Sequence, residues 1–165
     1  MERFQQILDD MLVGVYYNLL RLEESALKKG KLELTINEMH LIEQVGKAGE
    51  TGLTIREIAG RLGIKSPSVT VAVKKLEGKG FVVKEPCSKD GRVVNVYLTK
   101  QGKLVDAYHK YYRRVLTKTI AEGMSDSEKD VLLRAIQKIN TYFEQTIKQA
   151  SAESSGMGSA LNPSG

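Results

Sequence analysis

Between Lys65 and Lys75 the chain carries hydroxyl groups at Ser66, Ser68 and Thr70, an aliphatic side chain at Val71, and ammonium groups at Lys65, Lys74 and Lys75. Hydroxyls and ammonium groups bond to phosphate oxygens and base edges, and a valine can touch the methyl group of thymine. Further on, Lys89, Asp90 and Arg92 crowd one short turn. Arginine is drawn to narrow, A·T-rich minor grooves, and Asp90 can hold Arg92 through a charge-assisted hydrogen bond. This is the chemistry of gripping a polyanion, with no reacting atom. Each residue also has a plainer reading: Ser66 as a helix cap, the lysines as solvated charges, Arg92 as an exposed loop arginine.

Whether the first group shares a face depends on the backbone beneath it. Val69-Thr70-Val71-Ala72-Val73 is rich in β-branched residues, and as a strand it would alternate its sides. As a helix it would put Val69, Ala72, Val73 and Leu76 on one face, and Thr70, Val71 and Lys74 on the other. The flanks decide. Ser66 suits an N-cap and Pro67 the first helical position, where its missing N–H costs nothing. Gly78 and Gly80 mark the far end, and Lys74-Lys75-Leu76-Glu77 are good helix formers. The expectation is a helix.

The elements around it follow from spacing. Residues 4–28 predict a helix with Phe4, Ile7, Leu8, Met11, Leu12, Val15, Leu19 and Leu22 in one stripe, stopped by Gly30. That stripe is too apolar to stand without a partner surface. Thr35 to Val45 predicts a second helix, with a capping box between Thr35 and Glu38 and an inner face of Met39, Ile42 and Val45. Gly46 to Gly52 predicts a loop, whose spacing does not match a phosphate-binding loop. Thr54 to Leu62 predicts a short helix with a Thr54–Glu57 capping box; Ile55, Ile58, Ala59 and Leu62 face inward, and Gly63 makes the turn. Two short helices joined this way form a helix-turn-helix. Phe81–Lys84 and Val93–Leu98 predict strands joined by Pro86–Gly91, a hairpin placed as a wing. Two long helices follow, Gln101–Ala121 and 126–149, the second opened by a Ser125–Glu128 capping box. The Ser- and Gly-rich stretch 150–165 predicts a flexible tail. The fold class expected is mainly α with a small β-hairpin. The divisions expected are an N-terminal dimerisation helix (1–34), a winged helix-turn-helix lobe (35–100), C-terminal dimerisation helices (101–149) and the tail.

Charge supports a polyanionic partner. The chain has 25 Lys and Arg against 20 Asp and Glu, net +5. From Leu53 to Lys103 the count is 11 against 4, net +7, leaving −2 on the remainder. Segregated positive charge is the footprint of a segment facing phosphates; the alternative is a basic solvated face. The apolar runs are too short to span a membrane. The N-terminus lacks a basic start and a cleavage site, so a cytoplasmic protein is expected. The single cysteine, Cys87, cannot form an internal disulfide.

The stretches "LTIREIAGRLGIKSPSVTVAVKKLEGKGFVVK", "DGRVVNVYLTKQG" and "MSDSEKDVL" resemble the MarR family of bacterial transcription regulators over roughly residues 5–148. Asp90-Gly91-Arg92 followed by Leu98-Thr99 and Gly102 is similar to that family's wing signature. The resemblance implies a homodimer with interlocked terminal helices, and two winged lobes on one pseudo-palindromic duplex operator. The residues expected at DNA are Thr54, Lys65, Ser66, Ser68, Thr70, Val71, Lys74, Lys75, Lys89, Asp90 and Arg92. A narrower likeness, in "ELTINEMHLIEQVGK" and "VTVAVKKLEGKGFV", is to repressors of fatty-acid-synthesis genes in Gram-positive bacteria, which respond to acylated acyl carrier protein.

A candidate effector pocket takes Met39, His40, Tyr108 and Tyr111, the tyrosines having a basic rim of Lys110, Arg113 and Arg114 suited to an acidic carrier protein. The plainer readings are a partly buried His40 with a backbone partner and tyrosines used in helix packing. His109 is expected on the surface or at a dimer face. Neither histidine has a partner cluster at metal-ligand spacing, and no cofactor is expected. Cys87 lies in the wing, not near the N-terminus where the family's redox cysteines usually lie. The expectation is a DNA-binding repressor whose affinity an effector modulates. Two alternatives stand beside it: a winged-helix module that binds protein, and a repressor of an efflux or stress operon answering a small aromatic or an oxidant. No nucleophile–base pair or cofactor loop points to an enzyme.

Overall fold

The computed structural model describes residues 1–86 and 93–159. The chain divides into two compact units, Met1–Arg113 and Arg114–Gly165. The first runs through α1 (Glu2–Lys29), α2 (Ile36–Ala48), α3 (Ile55–Leu62), α4 (Ser66–Gly78), β1 (Val82–Pro86), β2 (Val94–Leu98) and the start of α5 (Lys100–Glu122). The second holds the rest of α5 and α6 (Asp126–Ser159).

The core of the first unit is aliphatic. Met39, Leu41, Ile42 and Val45 of α2, Ile58 of α3, and Val69, Val73 and Leu76 of α4 meet Val96 of β2, all fully buried. Burying side chains of this size stabilises by about 1.5–3 kcal/mol each, which is how Val69, Val73 and Leu76 hold α4 helical against the β preference of its valines. The alternation a strand would need is absent: Val71 lies exposed between buried Val69 and buried Val73.

Capping boxes fix the starts of the inner helices. Thr35 N–H donates to Glu38 Oε2 (2.9 Å) while Glu38 N–H donates to Thr35 Oγ1 (3.2 Å). Thr54 and Glu57 repeat the pair at 2.8 and 3.2 Å. α2 runs three residues into the stretch expected to be a loop, ending at Ala48 before a 3₁₀ turn, Gly49–Thr51. The glycine inside it has a packing reason: a Cβ at Gly46 would strike the carboxylate of Asp106.

β1 and β2 form an antiparallel hairpin in register from Val82 opposite Leu98 to Pro86 opposite Val94. Leu53 bridges to Val96 through a pair of backbone bonds, tying the hairpin to the entry of α3. Thr99 then sets the start of α5. Its hydroxyl donates to the Gly80 carbonyl (2.7 Å) and accepts from Gly102 N–H (3.1 Å). Gly102 is there because the Phe81 carbonyl oxygen occupies the space a Cβ would need.

α1 buries only its C-terminal end, through Glu23, Ala26 and Leu27. Phe4, Met11 and Val15 are 69%, 63% and 66% exposed. In the second unit, Ser125 and Glu128 form the expected capping box. α6 carries Val131, Leu133, Phe143 and Ile147 exposed. It extends to Ser159, ten residues past its expected end at 149. Among the described residues no helix is long and apolar enough to cross a membrane.

Candidate nucleic-acid interface

α3, the turn at Gly63 and α4 build the site. Gly63 takes φ 65°, the left-handed region open to glycine, and Ile64 N–H closes the turn on the Ala59 carbonyl (3.1 Å). α4 opens differently from expectation. Lys65, not Ser66, is the N-cap, and Pro67 sits second in the helix. The Lys65 carbonyl accepts from Ser68 N–H (3.0 Å) and Val69 N–H (3.3 Å). Pro67 fits there because the first-turn N–H groups have no intrahelical partner to lose.

The outer face of α4 gathers Ser68, Thr70, Val71, Lys74 and Lys75, all exposed, with exposed Lys65 at its head and half-buried Ser66 beside it. Thr70 Oγ1 donates to the Ser66 carbonyl (3.0 Å). Thr54 is half-buried, its hydroxyl engaged with Glu57, whose carboxylate that bonding holds below the usual range. Lys89, Asp90 and Arg92, together with Cys87, lie outside the described residues; β1 and β2 end on either side of them.

Two lysines of the basic segment are turned inward to the protein. Lys79 Nζ bonds both carboxylate oxygens of Glu38 at 3.0 Å, and Lys84 pairs with Glu77 at 2.9 Å. The positive charge facing outward from α4 is therefore that of Lys65, Lys74 and Lys75.

The candidate effector residues are dispersed. Met39 is sealed in the core. His40 is half-buried, with Nε2 3.3 Å from Glu23 Oε2, so its partner is a carboxylate and not the backbone. Tyr108 and Tyr111 are exposed on α5. Two cavities lie nearby. One of about 520 Å³, between α1 and the start of α2, is walled by Tyr16, Leu20, Leu27, Leu32, Leu34 and Ile36, with Lys28 at its edge. Another of about 400 Å³ has Glu23, His40, Glu43, Lys47, Arg61 and Arg113 in its lining beside Leu19, Leu20 and Leu62.

His109 corrects an expectation. It is 3% exposed, not a surface residue, and lies 3.9 Å from Glu23 and 4.0 Å from Glu43. Burial holds its imidazole below the ordinary range, with Arg113 and His40 adding to that and the two carboxylates pulling the other way. Burial pushes Glu43 up, but Lys47 (2.8 Å), Arg113 (3.2 Å) and His109 outweigh it and leave the carboxyl lowered. Sequence reasoning passed over Glu23 and Glu43. The available signal was Glu23 itself, three and four residues before buried Ala26 and Leu27, a carboxylate on an inward face. Among the described residues no group of His, Cys, Asp or Glu is placed to hold a metal ion.

The family model described as "MarR family" matches residues 32–93, the stretch that holds α2, α3, α4 and β1. The Streptococcus pneumoniae FabT structure in complex with DNA superposes with a TM-score of 0.81 and 29% identity, over 86% of this chain and 98% of that one. The chain is similar to the MarR family over residues 32–93, 62 of its 165 residues, and to FabT over most of its length. Two curated relatives from Bacillus subtilis share its sequence. The uncharacterised HTH-type transcriptional regulator YkoM is 29% identical over 94 residues, 56% of this chain and 60% of that protein. YhjH, similarly described, is 30% identical over 84 residues, 51% of this chain and 47% of that protein. The chain thus spans between about half and three fifths of the curated relatives it matches. Both relatives are described as transcriptional regulators. α3 and α4, joined by the turn at Gly63, have the arrangement of a helix-turn-helix, with α4 as its second helix.

Proposed function

We propose that this chain is a MarR-family regulator, a homodimeric, cytoplasmic repressor that binds a pseudo-palindromic duplex operator. The observation that carries the reading is the outer face of α4. Hydroxyls, a valine and lysines are exposed along one side of a helix whose other side is locked in the core. Two such helices, one per protomer, enter successive major grooves about 34 Å apart. Arg92, with Asp90 and Lys89, grips the flanking minor groove. Dimerisation is supported by the apolar residues that α1 and α6 leave uncovered, Phe4, Met11 and Val15 on one and Val131 and Ile147 on the other. Isolated helices that are apolar on the outside need a partner surface.

The regulated genes are proposed to be those of fatty-acid synthesis, with an acyl chain delivered by acyl carrier protein as effector. The support is the similarity to FabT and the cavity between α1 and α2, where a chain of methylenes could lie against Leu20, Leu27, Leu32 and Leu34. Binding there would shift the population of lobe spacings, not create new chemistry. The cavity lined by Lys47, Arg61 and Arg113 supports a second reading, a small aromatic effector for an efflux or stress operon.

The test is a mobility-shift titration with genomic fragments across a range of salt, beside sedimentation of the free protein. A dimer that retards a discrete set of fragments, with affinity falling steeply as salt rises, supports the reading. A monomer, or a protein that retards none, overturns it and favours a module that binds protein.

A further inference from the structure

α4 leaves Val71 57% exposed, and nothing in the folded chain explains it. The other large aliphatics of the helix, Val69, Val73 and Leu76, are fully buried. Valine is also a poorer helix former than alanine at an uncovered position. Folding therefore gains nothing from this isopropyl group, and helix propensity argues against it.

The side chains around it define what it could meet. Ser68, Lys74 and Lys75 stand three and four residues away on the same face, with Thr70 adjacent. They form a polar ring around a single apolar spot. The ring contains no arginine, asparagine or glutamine, so among the side chains that read guanine or adenine through two hydrogen bonds it has only the lysines, Lys74 and Lys75. Thr70 has its one hydroxyl proton committed to the Ser66 carbonyl, which leaves that oxygen as an acceptor only. Glu77, further along the helix, is held by Lys84. Lys74 and Lys75 reach phosphates as readily as bases, and phosphate contacts carry no sequence information. The group on this face best able to tell one base from another is an aliphatic surface. In the major groove of unmodified DNA, its complement is the 5-methyl of thymine.

We infer that Val71 is the specificity-determining residue of α4 and that it reads a thymine methyl group in each half-site of the operator. The inference rests on the proposal that α4 enters the major groove. It goes further by replacing hydrogen-bonded readout with an apolar contact at one defined position. Thr70 accepts a hydrogen bond at that pair or the next one, and the flanking lysines anchor the strand.

The test uses the full chain. Duplexes are selected from a random-sequence pool at physiological salt, and each thymine of the selected site is then replaced by deoxyuridine, which removes only the methyl. One thymine per half-site, related by the operator's symmetry, should weaken binding about fourfold when replaced, and about fifteenfold when both are. Val71→Ala should bind the thymine operator more weakly by a similar factor and bind the thymine and uracil duplexes alike. Val71→Ile, which keeps the branched surface, should keep the discrimination. Unchanged circular dichroism for both variants is expected at so exposed a position. The inference is overturned if no thymine is sensitive, or if Val71→Ala retains the sensitivity. If the pool yields no selected duplex, α4 is not a DNA-reading helix and both proposals fall together.

Discussion

Lys79 holds Glu38 from the far end of α4, with its ammonium 3.0 Å from both carboxylate oxygens and 2.7 Å from the Glu33 carbonyl. The same carboxylate accepts Thr35 N–H at the start of α2. One buried glutamate thus caps one helix and clamps the exit of another. The interaction fixes the direction of the helix whose outer face is proposed to read DNA.

That clamp has a measurable cost of removal. Lys79→Met leaves the Glu38 carboxylate buried with one partner fewer, and should lower unfolding stability by about 1–2 kcal/mol. The Glu38 carboxyl is pushed up by burial, yet Thr35 and Lys79 outweigh this and hold it below its usual 4.5. A depressed carboxylate stabilises above that value, and its contribution is lost as pH falls through the lower, folded value. Denaturant titrations from pH 6 to pH 3 should therefore converge for the parent and Lys79→Met. A gap that does not narrow as pH falls contradicts the account.

His109 works in a different window. Its imidazole is lowered from 6.5 mainly by burial, so the folded state holds it neutral while the unfolded chain takes up a proton. Stability is then complete above about pH 6.5 and declines as pH drops below it toward the folded value. His109→Phe should flatten the stability profile between pH 7 and pH 5. The parent slope surviving in the variant would show that another group governs that range.

Gly102 is the position at which the smallest change should do the most harm. Gly102→Ala drives a methyl into the Phe81 carbonyl where α5 packs on the hairpin. We expect a loss of about 3 kcal/mol or more. Gly60→Ala is the control, since nothing lies within 4 Å of its Cβ position. Comparable thermal shifts for the two variants would refute the packing argument.

Arg92→Ala should weaken operator binding while sedimentation still reports a folded dimer. Equal affinity of variant and parent at physiological salt would remove the wing from the interface.

Much of this fold could be read in advance because its signals are local. The three capping boxes, Thr35–Glu38, Thr54–Glu57 and Ser125–Glu128, form as spaced. The ambiguous valine run yielded to its flanking Pro and Gly. What could not be read depended on residues distant in sequence. His109 looked superficial because Glu23 and Glu43, its neighbours, come from α1 and α2. Lys79 and Lys84 counted toward a basic face, whereas tertiary contacts pair them with Glu38 and Glu77. Ser66 was favoured as a cap by its type, but the turn after Gly63 gives that place to Lys65. α6 continues through a Ser-rich stretch that composition alone reads as tail. The hydroxyls and lysines of α4 could be placed on one face in advance because a single helix carries them.

The most direct test of the central claim is the salt dependence of duplex binding, followed by fluorescence anisotropy, for the parent and for Lys74→Ala/Lys75→Ala. If α4 lies against the phosphates, log K for the parent falls linearly with log salt. The slope then shrinks by about one for every lysine–phosphate pair removed, up to about four for a dimer altered in both lobes. An unchanged slope with unchanged affinity would mean that α4 does not face DNA.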